Sequence, residues 1–140
     1  MQQTINFTIN SLQHIGIPVT NIKISEAFYE RLGFKNTMQS PFTFNGGTGT
    51  CIMMQREEMI IEIYQMPDTE LAEIRNRKDG RVDHFAFDVS DINEAFAELT
   101  TKGFTVIETS PVFLPFWKNG VKFFNISGPD GERIEFNQVL

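Results

Sequence analysis

The chain contains its own second copy, and that duplication limits its fold more than any other feature. HIGIPVTNIKISEAFYERLGF, from His14 to Phe34, lines up with HFAFDVSDINEAFAELTTKGF, from His84 to Phe104, at a constant offset of 70 residues and without a gap. Ile15 meets Phe85, Ile17 meets Phe87, Val19 meets Val89, Gly33 meets Gly103 and Phe34 meets Phe104. A repeat of this length is one supersecondary unit used twice, neither copy having enough apolar surface for a core of its own.

Each copy opens with alternating apolar residues, the pattern of a half-buried strand. Ile15, Ile17 and Val19 share one face, leaving His14, Gly16 and Pro18 on the other. Phe85, Phe87 and Val89 likewise oppose His84, Ala86 and Asp88. A helix follows in each copy, over Ser25 to Leu32 and from Asp91 or Ile92 to Lys102, with Ser90 or Asp91 as an N-cap. Gly33 and Gly103 stop these helices. Three more strands complete each copy: Thr37 to Phe44, Thr50 to Gln55 and Met59 to Gln65, then Thr105 to Thr109, Val121 to Ile126 and Arg133 to Gln138. Gly46-Gly47, Arg56-Glu57-Glu58 and Gly128-Pro129-Asp130-Gly131 supply turns. The expected architecture is α+β: one domain over residues 1–140, built of two βαβββ modules (about 11–66 and 82–138). The modules form a cupped sheet with helices outside. The polar link between them, Pro67 to Gly80, has room for a short helix.

Composition excludes some functions. The net charge is −6 with no basic stripe, the densest basic stretch being Arg75 to Arg81, so nucleic acid is not an expected partner. No apolar run approaches the ~20 residues of a membrane span, and the start MQQTINFTIN is not a signal peptide. Cys51 is the single cysteine, which suits a reducing compartment and makes the cytoplasm the expected location.

The chain owns two histidines, and they occupy the same point of the repeat. Toward the far end of each copy one carboxylate interrupts an apolar strand: Glu62 in MIIEIY and Glu135 in RIEFN. The His-to-Glu separations are 48 and 51 residues, so the two glutamates are also repeat partners. Alternation turns Ile61, Ile63, Ile134 and Phe136 to the packed side, and His14, Glu62, His84 and Glu135 to the concave side. Two crowded carboxylates would force one to stay protonated, and burying either alone is costly; a divalent cation relieves both penalties. Two nitrogens and two oxygens without a thiolate suit Ni, Co, Mn, Fe or Zn, with positions left for water or substrate.

HIGIPV, SEAFYERLGF, IIEIY, VDHFAFDVSD and FFNISGPDGERIEF together resemble the vicinal oxygen chelate superfamily (glyoxalase, bleomycin resistance protein and dioxygenase) over nearly the whole chain. The resemblance implies paired βαβββ modules and a metal chelating two substrate oxygens. Its glyoxalase I branch carries His or Gln, Glu, His and Glu as ligands, matched here by His14, Glu62, His84 and Glu135. Epimerases of the family usually carry Gln at the Glu62 position. Dioxygenases and fosfomycin thiol transferases have no ligand there, and bleomycin-binding proteins lack the metal residues. Glyoxalase-like lyase or isomerase chemistry is therefore expected, on a small α-hydroxycarbonyl or hemithioacetal substrate through a metal-stabilised enediolate. Glu135 is the expected base and Glu62 its symmetric alternative. The alternatives are an epimerase, an extradiol dioxygenase, a thiol transferase or a non-catalytic binder of antibiotics or aromatics. Two positions that hold glutathione in glyoxalases are Pro18 and Met66 here, which argues against glutathione. Phe113, Phe116 and Trp117 are candidate walls of a more apolar substrate pocket, with Lys122 or Lys118 to receive an anionic group. The resemblance also implies a homodimer.

Overall fold

The computed structural model describes residues 4–77, 82–129 and 133–140. The element order is β1 (Ile9–Pro18), α1 (Ile22–Arg31), β2 (Lys35–Phe44), β3 (Gly47–Arg56), β4 (Met59–Gln65), α2 (Asp68–Arg75), β5 (His84–Val89), α3 (Ile92–Thr101), β6 (Thr105–Val106), β7 (Val112–Leu114), β8 (Val121–Ser127) and β9 (Arg133–Val139). The chain divides into two compact units: His14–Asp83, and the residues up to Gln13 together with His84–Leu140. Each is a mixed sheet with helix beside it, α1 and α2 in the former and α3 in the latter, an α+β arrangement.

In the His14–Asp83 unit, the later residues of β1 run parallel to β4, with Ile15 opposite Ile61, Gly16 opposite Glu62 and Ile17 opposite Ile63. The antiparallel pairs β3–β4 and β2–β3 extend the ladder. Its core joins Ile22, Phe34, Ile52, Met54 and Ile63, with Val19, Tyr29 and Ile61 packed against them. The helix α1 starts three residues ahead of the expected Ser25. Asn21 Oδ1 accepts from the Ile24 N–H at 3.2 Å, and Gln65 Oε1 accepts from the Ile22 N–H at 2.9 Å. Two donors of the first turn are thereby satisfied earlier than the apolar pattern suggests. The β2–β3 turn centres on Asn45-Gly46 rather than Gly46-Gly47. Both residues have positive φ (47° and 76°), as a two-residue hairpin turn requires. Gly47 opens β3 instead, where a Cβ would stand 2.7 Å from the Pro67 ring.

The other unit repeats the plan. β5 runs parallel to β9, with Phe85 opposite Ile134 and Ala86 opposite Glu135. β8 pairs antiparallel with β9, and β6 and β7 pair with β8. The core joins Phe7, Val89, Ile92, Ala95, Leu99, Phe124, Ile126 and Phe136. The helix cap also recurs: Gln138 Oε1 accepts from the Ile92 N–H as Gln65 does from Ile22. Both helices close the same way. Gly33 and Gly103 take φ of 87° and 80°, and Phe34 and Phe104 donate back to Tyr29 and Leu99 across the final turn.

Two features depart from the strand pattern. The β6 strand is only Thr105–Val106, because Glu108 leaves the ladder and turns its carboxylate onto Asn125. The short β7 (Val112–Leu114), absent from the sequence reading, covers the other end of the same β8 edge. The expected turn at Gly128 to Gly131 lies partly outside the described residues, and the segment Lys78 to Arg81 lies wholly outside them.

Candidate metal centre

His14 is 2% exposed and sits on β1 two residues before Gly16, the residue opposite Glu62. Alternation puts His14 and Gly16 on one face, so the imidazole reaches diagonally toward the neighbouring carboxylate. His14 Nε2 lies 3.6 Å from Glu62 Oε2. The other unit has the same construction. His84, 4% exposed, stands two residues before Ala86, which is opposite Glu135, and His84 Nε2 lies 3.8 Å from Glu135 Oε1. The parallel register thus gives each unit one buried imidazole nitrogen facing one carboxylate oxygen.

Both separations exceed hydrogen-bond length. They are near the spacing of two ligands on one ion: bonds of about 2.1 Å at a tetrahedral angle separate donors by about 3.4 Å. One nitrogen and one oxygen per pair, without sulfur, is a donor set for a borderline divalent cation. Each pair by itself offers two donors of that kind.

The surroundings of the two pairs differ. Glu135 Oε2 accepts from Asn137 Nδ2 at 3.0 Å, and the same amide nitrogen donates to Gln13 Oε1 at 3.3 Å. A second group thus fixes the carboxylate that His84 faces. Arg133 Nη2 lies 3.2 Å from His84 Nδ1. A guanidinium can only donate, so this contact makes Nδ1 the acceptor; a ring whose Nε2 held an ion would carry its proton on Nδ1, facing the Arg133 donor. Across the ladder, Asn125 on β8 is opposite Glu135, whereas Met53 on β3 is opposite Glu62. The strand position two residues beyond each glutamate is Asn137 in one unit and Tyr64 in the other.

The remaining candidates are distributed as follows. Phe113 pairs with Lys122 across β7 and β8, and alternation sets both on the face opposite Phe123 and Asn125. Phe113 is 53% exposed, Phe116 is buried, and Trp117 is half-buried with a φ of 56°. A groove of about 500 Å³ in the His14–Asp83 unit runs between Asn45–Thr50 and Gln65–Thr69, and none of the four candidate ligands lines it. Asn125, Asn137 and Glu108 were not singled out from the sequence. The available signal was an asparagine inside each of two apolar strand runs, FFNIS and IEFN.

A doubled βαβββ plan with a matched imidazole–carboxylate pair in each half defines a class of protein. The chain belongs to the glyoxalase/bleomycin resistance protein/dioxygenase superfamily, whose family model matches residues 13–123. It is 33% identical over 131 residues to the uncharacterized protein YwbC of Bacillus subtilis (strain 168), covering 91% of this chain and 96% of that one. The hypothetical protein BH1468 of Bacillus halodurans C-125 superposes with a TM-score of 0.72 at 26% identity, covering 93% of this chain and 94% of that one. The methylmalonyl-CoA epimerase of Mycobacterium tuberculosis shares the fold, with a TM-score of 0.76 at 17% identity over 99% of this chain and 93% of that one. Among the described residues, no helix is long and apolar enough to cross a membrane.

Proposed function

We propose that this protein is a divalent-metal-dependent lyase or isomerase of the glyoxalase I type, acting on a small α-hydroxycarbonyl or hemithioacetal substrate. The observation that carries the proposal is the pair of matched contacts, His14–Glu62 at 3.6 Å and His84–Glu135 at 3.8 Å, each with a buried imidazole. His14, Glu62, His84 and Glu135 are the proposed ligands of one ion, two nitrogens and two oxygens in all. Bound there, the ion supplies Lewis-acid stabilisation of negative charge on adjacent substrate oxygens.

Glu135 is the proposed base, moving a proton between neighbouring substrate carbons, with Glu62 its symmetric counterpart. The bond from Asn137 to Glu135 Oε2 supports this role, since it orients the carboxylate and leaves Oε1 on the His84 side. The presence of glutamate at position 62 favours glyoxalase-like chemistry over an epimerase or a ring-cleaving dioxygenase, for which the resemblance implies Gln or no ligand there. Pro18 and Met66 stand where glutathione would be held, so the thiol is proposed to be a different one.

Glu135→Gln tests the assignment. The variant keeps its metal, measured on protein purified without a chelator or affinity tag, and loses turnover of a methylglyoxal hemithioacetal by about a hundredfold or more. Unchanged turnover would show that Glu135 is not the base.

A further inference from the structure

Two buried acceptors flank Glu135 with no donor among the described residues to satisfy them. Asn125 is 5% exposed and Asn137 2% exposed, and the Oδ1 atom of each lacks a hydrogen-bond partner among the described residues. Side-chain amides are often ambiguous by a half-turn, but here chemistry fixes both. Asn125 Nδ2 lies 2.7 Å from Glu108 Oε1, while its backbone N–H donates to Glu108 Oε2 at 2.6 Å. Asn137 Nδ2 lies 3.0 Å from Glu135 Oε2. A carboxylate accepts, so each amide must turn its NH₂ toward the glutamate and its oxygen away from it. Each glutamate therefore holds an asparagine whose buried carbonyl oxygen is turned away from the carboxylate and has no partner among the described residues.

The register puts these oxygens on one face of the sheet. Asn125 is directly opposite Glu135, and Asn137 follows Glu135 by two residues on the same strand. In the other half of the repeat, the matching positions are Met53 and Tyr64, so the carboxamide pair is a feature of one half only. Buried acceptors are almost always satisfied, and one left unpaired destabilises the fold that contains it. Two such atoms beside one carboxylate point to a ligand that brings the missing hydrogens.

We propose that Asn125 Oδ1 and Asn137 Oδ1 are specificity-determining acceptors that bind the hydroxyl hydrogens of a neutral, hydroxylated substrate at the Glu135 face. The inference deepens the function proposed above and rests on Glu135 facing the substrate, but not on the ion. Molecules that offer only acceptors at this place, such as ethers or deprotonated acids, leave both amide oxygens unpaired and are rejected. A site built to receive a hydroxyl discriminates strongly against its blocked analogue.

Hydroxyacetone and methoxyacetone test this directly, because they share two adjacent oxygens and differ in the hydrogen that can be donated. Their affinities are measured by titrating the side-chain amide signals of ¹⁵N-labelled protein, once with zinc and once with EDTA. Hydroxyacetone, with one hydroxyl hydrogen to give, is expected to bind about five-fold tighter or more and to shift the amide signal of Asn125, Asn137 or both. The double variant Asn125→Met/Asn137→Leu, whose first change installs the residue of the other repeat, brings that ratio close to one.

Equal binding of the two probes by the unsubstituted protein overturns the proposal. So does failure of hydroxyacetone to bind, or binding that leaves both amide signals unmoved, which would assign the oxygens to bound water. Discrimination that persists in EDTA in a protein that takes up no zinc supports this inference and refutes the metal reading. Zinc binding with no discrimination does the reverse.

Discussion

Replacing Phe7 with alanine measures how firmly the N-terminal segment is built into the second unit. Phe7 is 6% exposed, meets the Phe136 ring edge-on at 5.7 Å, and belongs to the same core as Leu99 and Phe124. Its backbone N–H and that of Asn6 both donate to the Glu98 carboxylate, at 2.9 and 2.6 Å, so the backbone just ahead of its Cα is tethered. Truncating a fully buried phenylalanine costs about 3–5 kcal/mol. The ring keeps 6% of its surface exposed, so it is not wholly enclosed and the lower figure of about 3 kcal/mol is expected. For a chain of this length that is a fall in Tm of roughly 10 °C. Trp117 is the single tryptophan and lies in the same unit, so urea unfolding followed by its fluorescence reports on the segment that was changed. Phe28→Ala is the matched control. That ring is 53% exposed on α1, and its loss should change stability by no more than about 0.5 kcal/mol. A loss below about 1 kcal/mol for Phe7→Ala, with an unchanged denaturant slope, would refute the picture of a seated N-terminal plug.

Other outcomes follow from the same contacts. Zinc at a hundred times its dissociation constant should stabilise the protein by about 2.7 kcal/mol in a thermal melt, and His14→Ala or His84→Ala should each remove most of that gain. Glu98 is held below the ordinary glutamate range, first by its hydrogen bond from Lys102 and further by the backbone N–H groups of Asn6 and Phe7. Its contribution is therefore complete above the unfolded glutamate value of about 4.3 and is lost as pH falls through the lower folded value. Urea midpoints taken between about pH 5 and pH 3 should accordingly drop further in the parent protein than in Glu98→Gln.

What the sequence disclosed and what it hid have separate physical causes. Gly33 and Gly103 end their helices because a left-handed residue is needed there, and glycine announces that requirement locally. The strand Met59–Gln65 is found where alternation predicts it. The two His–Glu pairs were legible because the duplication marks equivalent positions twice. Phe7 was not: Ile5, Phe7 and Ile9 alternate with Asn6 and Thr8, but the segment has no counterpart in the repeat and its partner ring is on β9. The shortness of β6 was hidden for a related reason. Glu108 looks like any strand residue until register brings Asn125 beside it. Alternation along IEFN sets Asn137 on the face of Glu135, but its tie to Gln13 and the place of Asn125 opposite Glu135 come from long-range pairing that no local pattern encodes.

The boundary of the ancestral copy and the boundary of the compact unit do not coincide. The copies match from His14 and from His84, yet residues up to Gln13 belong with the later stretch, where they carry Phe7 into its core and Gln13 to Asn137. A gene cut at the seam of the duplication would release a C-terminal fragment with an open socket and a loosened carboxamide. Supplying the first thirteen residues as a separate peptide should refill that socket with Phe7 and bring Gln13 back to Asn137.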